Sequence, residues 1–134
     1  MLKRTLSGVL FLGMVASPLA AQEMADEGVT AEIVIATGVE DREPVGEATE
    51  FPADVGTVYA WTRISGAANT TIQHVWRFGD HEFPVSLNIG NGSPWRTWST
   101  KSIPAEWDGE WTLEVRDADG NVVASTTFTV GGGM

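Results

Sequence analysis

Apolar and polar side chains alternate with a period of two residues along several short stretches of the chain. In residues 70–78 every second side chain, from Ile72 to Phe78, falls on one face, and the same alternation continues from Val85 to Ile89. A two-residue period is the side-chain period of a β-strand, so the chain is constrained to fold as a sheet protein. The pattern predicts seven strands, at residues 30–39, 58–64, 70–78, 85–89, 95–99, 110–116 and 121–130.

Turn-forming residues separate these stretches. Gly79-Asp80 and the Gly- and Asn-rich residues 90–94 each follow a predicted strand, and the Asp-Gly pair ending at Gly120 is a strong hairpin signal. No amphipathic helical stretch follows residue 21, and the chain has no cysteine. Together these features predict an all-β fold: an immunoglobulin-like antiparallel β-sandwich of about seven strands without a disulfide.

After the first 21 residues, the sequence predicts one domain with a short flexible segment at each end. Residues 22–29 are acidic and predict a flexible N-terminal arm, residues 30–130 a single β-sandwich domain, and residues 131–134 a flexible tail. Inside the domain, residues 40–54 carry six acidic side chains, one arginine and two prolines. That composition predicts a long exposed loop, and loops of this length are often functional.

Residues 1–21 have the three parts of an export signal. Lys3 and Arg4 precede an apolar run at residues 6–16, and small residues follow up to Ala21. The run is too short for a spanning helix, which needs about 20 apolar residues. We therefore expect cleavage after Ala21, a periplasmic or secreted protein, and no stable membrane insertion after cleavage.

The charge of the chain excludes some partners. The full chain has a net charge of −10, and removal of Lys3 and Arg4 with the signal leaves six basic and eighteen acidic side chains, a net charge of −12. Such a protein repels nucleic acid phosphates and anionic lipid headgroups, because neither surface releases counterions to it. We expect no nucleic acid partner.

Six tryptophans are more than a core of this size needs. Trp61, Trp76 and Trp111 sit at apolar positions within predicted strands and are expected in the core. Trp95 and Trp98 are three residues apart and must point to opposite faces of one strand. The tryptophans outside the core either cap the open ends of the sandwich or form an exposed platform that binds sugar rings or a protein partner.

Catalytic and metal-binding patterns are weak in this sequence. His74 lies at an inward position, which favours a core histidine, and a His74–His81 pair lacks a third metal ligand. Asp117, Asp119 and Asn121 are similar to the start of a calcium loop but lack its closing glutamate, so a turn is the better interpretation. No known catalytic motif is present. We predict no catalytic residues, no metal, no cofactor and no enzymatic activity.

Four ordered blocks resemble a known bacterial family, the domain of unknown function 2914. They are residues 37–44 (TGVEDREP), 72–76 (IQHVW), 96–101 (RTWSTK) and 109–115 (GEWTLEV), and the resemblance spans about residues 31–130. It implies a small β-rich envelope or extracytoplasmic domain whose biochemistry is not established. The family pattern singles out eight residues of this chain: Arg42, Glu43, His74, Trp76, Arg96, Trp98, Ser99 and Lys101.

A candidate binding site follows from the strand that contains Arg96 and Trp98. The two side chains share one face, where the guanidinium can stack on an indole or reach a carboxylate such as Glu43. The face is either an exposed recognition surface or a structural contact beneath the acidic loop. The candidate binding residues are Arg96, Trp98, Lys101, Arg42, Glu43, Trp95 and His74.

The predicted function is that of a non-catalytic exported domain that binds an envelope protein or a glycan. The alternative is a purely structural accessory domain of the cell envelope with no ligand site.

Overall fold

A computed structural model of the protein describes residues 28–131. The predicted signal, most of the predicted arm and the last three residues lie outside the described residues. The strands are β1 (Thr30–Ala36), β2 (Gly38–Glu40), β3 (Glu43–Val45), β4 (Glu50–Phe51), β5 (Gly56–Ser65), β6 (Thr71–Phe78), β7 (His81–Asn88), β8 (Trp95–Ile103), β9 (Gly109–Arg116) and β10 (Val122–Val130). A 3-10 turn, Ala105–Trp107, precedes β9. No helix between residues 28 and 131 has the length and hydropathy to cross a membrane.

The strands form two main layers. A five-stranded sheet has the order β4-β10-β9-β6-β7, and a three-stranded sheet has the order β1-β5-β8. Strands β2 and β3 form a separate hairpin. Neighbouring strands are antiparallel except for β4 and β10, which run parallel over two residues. The predicted all-β sandwich is confirmed.

The seven predicted strands correspond to the seven long strands of the structure, β1 and β5–β10. The structure adds three short strands, β2, β3 and β4, so residues 28–131 form about ten strands rather than seven. Two of them, β3 and β4, lie in residues 40–54, which we expected to form a long loop. Residues 41 and 42 make a tight reversal between β2 and β3 with positive φ, a conformation that Asp adopts more readily than most residues but Arg does not favour. The residue types in this turn therefore gave no hairpin signal in the sequence.

The core lies between the two main sheets. Alternate residues of β5, among them Val58, Ala60 and Ile64, are buried against the five-stranded sheet. From that sheet Trp76 and Trp111, both 0% exposed, pack on Phe128 in edge-to-face and stacked geometry. Trp76 and Trp111 are core residues, as predicted from their position in the strand pattern.

Candidate binding face

Arg96 and Trp98 lie on the face of the three-stranded sheet that points away from the five-stranded sheet, here called the outer face. In the register of β5 and β8, Trp98 lies opposite Trp61 and Arg96 lies opposite Arg63. The alternating residue Ser99 of β8 points inward and is buried. The prediction that Arg96 and Trp98 share a face is therefore confirmed, and that face is the outward one.

The β2–β3 hairpin lies over part of the outer face. The indole Nε1–H of Trp61 donates a hydrogen bond of 2.9 Å to the backbone carbonyl of Arg42 in the hairpin turn. Trp61 is only 3% exposed, as expected of a core residue, but it is buried beneath the hairpin and not between the main sheets.

The hairpin turn holds two residues in the left-handed region. Asp41 and Arg42 have φ values of 53° and 66°, and they connect the facing residues Glu40 and Glu43. Two-residue turns of this type usually contain Asn-Gly or Asp-Gly, because Asn, Asp and Gly adopt positive φ more easily than a residue such as Arg, for which it costs about 1–2 kcal/mol. The turn is therefore strained, and the contacts of the hairpin with the sheet must compensate.

Arg96 forms an ion pair with Glu43 of the hairpin through its Nη1 atom. The two side chains remain 36% and 58% exposed, so the pair lies at the surface and is not buried beneath the hairpin. Neighbouring Arg63 pairs with Glu32 at 2.6 Å. Exposed pairs of this kind contribute little stability, about 0–1 kcal/mol each. The face is therefore outward, and Arg96 is paired with Glu43 at the surface rather than beneath the acidic segment.

Trp95 is the second half-buried tryptophan of β8. It has the opposite parity to Trp98 and packs against the core. The Arg42 guanidinium carbon lies 5.9 Å from its ring centroid. A Cβ atom at Gly90 would approach the ring to 2.5 Å, so glycine is needed there to seat the indole. Arg42 thus links the hairpin turn to this end of β8.

Two of the seven predicted binding residues lie apart from the other five. Lys101 has the inward parity of β8, and its Nζ atom lies 4.2 Å from the ring centroid of Phe83 in β7. His74 is fully buried between the sheets. The structure therefore brings together Arg42, Glu43, Trp95, Arg96 and Trp98 and leaves Lys101 and His74 outside this group.

His74 is the centre of a directed chain of hydrogen bonds. The Trp76 indole N–H donates to the Ser99 hydroxyl (3.2 Å), which donates to His74 Nδ1 (2.7 Å). His74 Nε2–H donates to Thr62 Oγ1 (3.0 Å), because the Thr62 hydroxyl donates its own proton to the Thr97 carbonyl (3.0 Å). The Thr62 bond to the Thr97 carbonyl requires a proton on Nε2, and in the neutral ring that burial favours Nδ1 then accepts from Ser99. The chain joins β6 to β5 and β8, and so fastens one sheet to the other.

Burial lowers the pKa of His74 from its ordinary value of 6.5 to about 4. Both ring nitrogens are engaged by hydroxyl groups, so His74 does not pair with His81 as a metal ligand. Among residues 28–131, no group of three or more His, Cys, Asp or Glu side chains is arranged to hold a metal ion.

The residues that are similar to a calcium loop form a hairpin turn. One carboxylate oxygen of Asp117 accepts hydrogen bonds from the backbone N–H groups of Asp119 and Asn121, both at 2.9 Å. Gly120 has a φ of 89°, which the turn requires and glycine adopts easily. The carboxylate therefore stabilises the β9–β10 hairpin.

Two clusters were not anticipated from the sequence. Trp107 packs between Phe78 (5.4 Å between ring centroids) and His81 (4.9 Å). On the outward face of the five-stranded sheet, four charged side chains form a network of ion pairs: Arg77, Glu82, Glu114 and Arg116. Alternation places such residues outward, but only the strand register shows that they meet.

Glu114 is the most buried member of that network. Its burial alone would raise its pKa, but hydrogen bonds from Arg116 (2.7 Å) and Arg77 (3.0 Å), together with their charges, lower the pKa below its ordinary value. The buried carboxylate is therefore charged and fully compensated, which is typical of a structural ion pair.

Solved structures with similarity to the chain are remote. One is the Pseudomonas fluorescens alkylpurine DNA glycosylase AlkC bound to DNA containing an abasic site analog, with a TM-score of 0.49 and 9% identity over 82% of this chain. Another is the Bifidobacterium adolescentis GH3 beta-glucosidase, with a TM-score of 0.38 and 12% identity over 77% of this chain. The chain spans 33% and 17% of the lengths of these two proteins. A search of curated proteins finds no match.

A family model matches the second half of the domain. The family is described as "Protein of unknown function (DUF2914)", and the match covers residues 69–130. Three of the four blocks that carry the resemblance lie inside this range, whereas residues 37–44 precede it. The resemblance to the DUF2914 family is therefore confirmed, and residues 69–130 are the part of the chain that carries it.

Proposed function

We propose that this chain is a non-catalytic exported domain that binds an envelope protein or a glycan through the outer face. The observation that carries the proposal is the pair of Trp98 and Arg96 on the outer face, where the Trp98 indole is half-buried and Arg96 is 36% exposed. Beside them, at the start of β8, the Arg42 guanidinium lies over the half-buried ring of Trp95. Aromatic side chains beside arginine are enriched at recognition surfaces.

The chemistry of this group suits a sugar ring or a protein surface with carboxylates. An indole presents a broad apolar surface that loses little conformational entropy on binding. Arg96 uses Nη1 for Glu43, and no other hydrogen bond of its guanidinium is recorded among residues 28–131. A guanidinium has five N–H donors in total, so donors remain for a hydroxyl or carboxylate of the ligand.

The sequence supports the cellular setting of this proposal. The signal-like residues 1–21 favour a periplasmic or secreted protein, and the net charge disfavours nucleic acid and anionic membranes as partners. No sequence motif favours an enzyme.

One set of contacts favours the structural alternative. Trp61 and Arg96 both bind the β2–β3 hairpin, so the outer face also serves to hold this hairpin on the sheet. In the structural alternative, holding the hairpin is the whole role of the outer face.

A paired stability and capture measurement separates the two functions. Wild-type protein, Trp98→Ala and the control Thr100→Ala, which changes an exposed residue on the same face of the same strand, are immobilised and incubated with native envelope extract. We expect Trp98→Ala to lose the bound protein or glycan, while its unfolding free energy falls by about 2 kcal/mol, less than the 3–5 kcal/mol of a fully buried tryptophan. Thr100→Ala should retain both the bound partner and the unfolding free energy of the wild-type protein.

Equal capture by all three proteins contradicts the proposed face. Complete unfolding of Trp98→Ala, with loss of capture only because the protein is unfolded, supports the structural alternative.

A further inference from the structure

The side of the sandwich between β1 and β10 is incompletely closed. Strand β10 is nine residues long and pairs with β9 along its length, but on its other side β4 pairs only with Thr129 and Val130. Within the described part of the chain, strand β1 pairs with a strand, β5, on one side only. The N-terminal part of β10 is therefore a sheet edge.

The direction of the free backbone groups on β10 follows from one hydrogen bond. The N–H of Thr129 donates to the carbonyl of Thr49 at 2.9 Å and so points away from β9. Alternate residues of a strand direct their N–H and C=O groups to the same side, so those of Thr127 and Ser125 point the same way. No hydrogen bond to these outward groups is recorded within residues 28–131.

A groove lies beside this edge. Its volume is about 390 Å³, and its walls include Ile33 and Ile35 of β1 and Thr126 and Thr127 of β10. Ala48 N–H donates to the Ile35 carbonyl at 3.1 Å, so the segment before β4 covers only one end of β1. The groove thus has apolar side chains on one wall and unpaired backbone groups on the other.

The charges at the groove indicate what it accepts. Glu47 lines the groove, Glu50 follows it in β4, and both side chains are exposed. Residues 22–27 of this chain carry three acidic side chains and no basic one, and two copies of the chain repel each other through their net charge of −10. A basic segment of another protein is the occupant with complementary charge.

We propose that an extended peptide segment rich in lysine or arginine binds in this groove and adds a strand to the edge of β10. Its backbone pairs with the outward groups of Ser125 and Thr127, alternate apolar side chains contact Ile33, and its basic side chains contact Glu47 and Glu50. This site is separate from the outer face and does not depend on the function proposed for it.

The test uses the isotopically labelled exported protein and a ten-residue peptide in which valine and lysine alternate. Strand addition is expected to shift the backbone amide signals of residues 123–127 in nuclear magnetic resonance spectra. It should also slow hydrogen exchange at Ser125 and Thr127. A peptide of alternating valine and glutamate should bind at least tenfold more weakly.

Two variants of Thr127 isolate the backbone contact. Thr127→Pro removes the outward N–H and is tolerated at a sheet edge, whereas the control Thr127→Val retains it. Thr127→Pro should weaken binding about tenfold, and Thr127→Val should leave it unchanged. Thermal melts confirm that both variants are folded.

The proposal is overturned if millimolar peptide shifts no β10 signal, or if Thr127→Pro binds as well as Thr127→Val. It is also overturned if the β10 signals shift with protein concentration alone, because the occupant is then a second copy of the chain. Removal of residues 22–27 identifies them as the occupant if it exposes the β10 amides to exchange, and that result contradicts the proposal as well.

Discussion

His74 is a buried titratable residue whose ring is held neutral by desolvation, and its hydrogen bonds fit that neutral ring. Ser99 donates to Nδ1, and Nε2–H donates to Thr62. A second ring proton would face the Ser99 hydroxyl and displace the proton by which Ser99 donates. Desolvation acts in the same direction and lowers the pKa of His74 to about 4.

The protein is therefore expected to lose stability in weak acid. The unfolded chain binds a proton at His74 near pH 6.5 and the folded protein only near pH 4, so unfolding takes up a proton in this window. The free energy of unfolding is highest above pH 6.5 and should fall by about 3 kcal/mol as the pH is lowered to 4. Urea unfolding curves at intervals between pH 7 and 4.5 measure the change.

A pair of substitutions tests whether His74 causes this loss of stability at low pH. His74→Gln should remove most of the dependence between pH 6.5 and 5, while His81→Gln, at the exposed histidine, should leave it intact. An unfolding free energy of wild-type protein that is flat from pH 7 to 5 contradicts the neutral hydrogen-bond chain.

Residue alternation predicted the direction of the side chains but not what covers them. It placed Arg96 and Trp98 on one face and His74 inward, and both predictions hold. It could not show that Trp61 is covered by the hairpin or that Lys101 points toward Phe83, because those contacts depend on how separate elements pack.

At the scale of elements, the β2–β3 hairpin connects the acidic segment to the candidate binding face. Its turn holds Asp41 and Arg42 at positive φ, while its side chains and backbone contact Trp61, Trp95 and Arg96. Strained residues persist where surrounding contacts fix them, and such positions are common at functional sites. Sequence reasoning predicted a loop here, because two prolines and six acids disfavour strands.

We expect Arg42→Gly to separate stability from binding. Glycine adopts the positive φ of residue 42 without strain. The unfolding free energy should therefore stay unchanged or rise by up to about 1 kcal/mol, and the melting temperature should not fall. The substitution also removes the guanidinium above Trp95 and should therefore weaken capture of the envelope partner. Thermal melts and the capture assay are made on the same preparation.

The control Asp41→Gly changes the other residue with positive φ and leaves the Arg42 side chain in place. It should retain capture. Loss of stability in Arg42→Gly would instead show that the Arg42 side chain is a structural contact.

At the scale of the whole molecule, the strand pattern predicted all seven long strands, because each has clear alternation or ends in a turn signal. The pairing of strands into two sheets of five and three, and hence the site, required the structure. The packing of the β2–β3 hairpin on the three-stranded sheet brings Arg42 to Trp95 and Arg96, from segments more than 50 residues apart in the sequence.

Export is a further prediction for the whole molecule. Cleavage after Ala21 leaves a protein of 113 residues, and the charged start, apolar run and small residues of the first segment favour it. The intact mass of the protein recovered from the periplasm or medium measures the cleavage site. A mass that includes Met1 would contradict export by a cleaved signal.

The central claim is that the outer face, at the end of β8 near the hairpin, binds the partner, and the indole N–H signals of the six tryptophans test it most directly. Labelled protein is titrated with the partner recovered from envelope extract. We expect the signals of Trp98 and Trp95 to shift and those of Trp76 and Trp111, which are fully buried in the core, to stay in place. Shifts confined to Trp107, at the other cluster, with none at Trp98 or Trp95, would contradict the account.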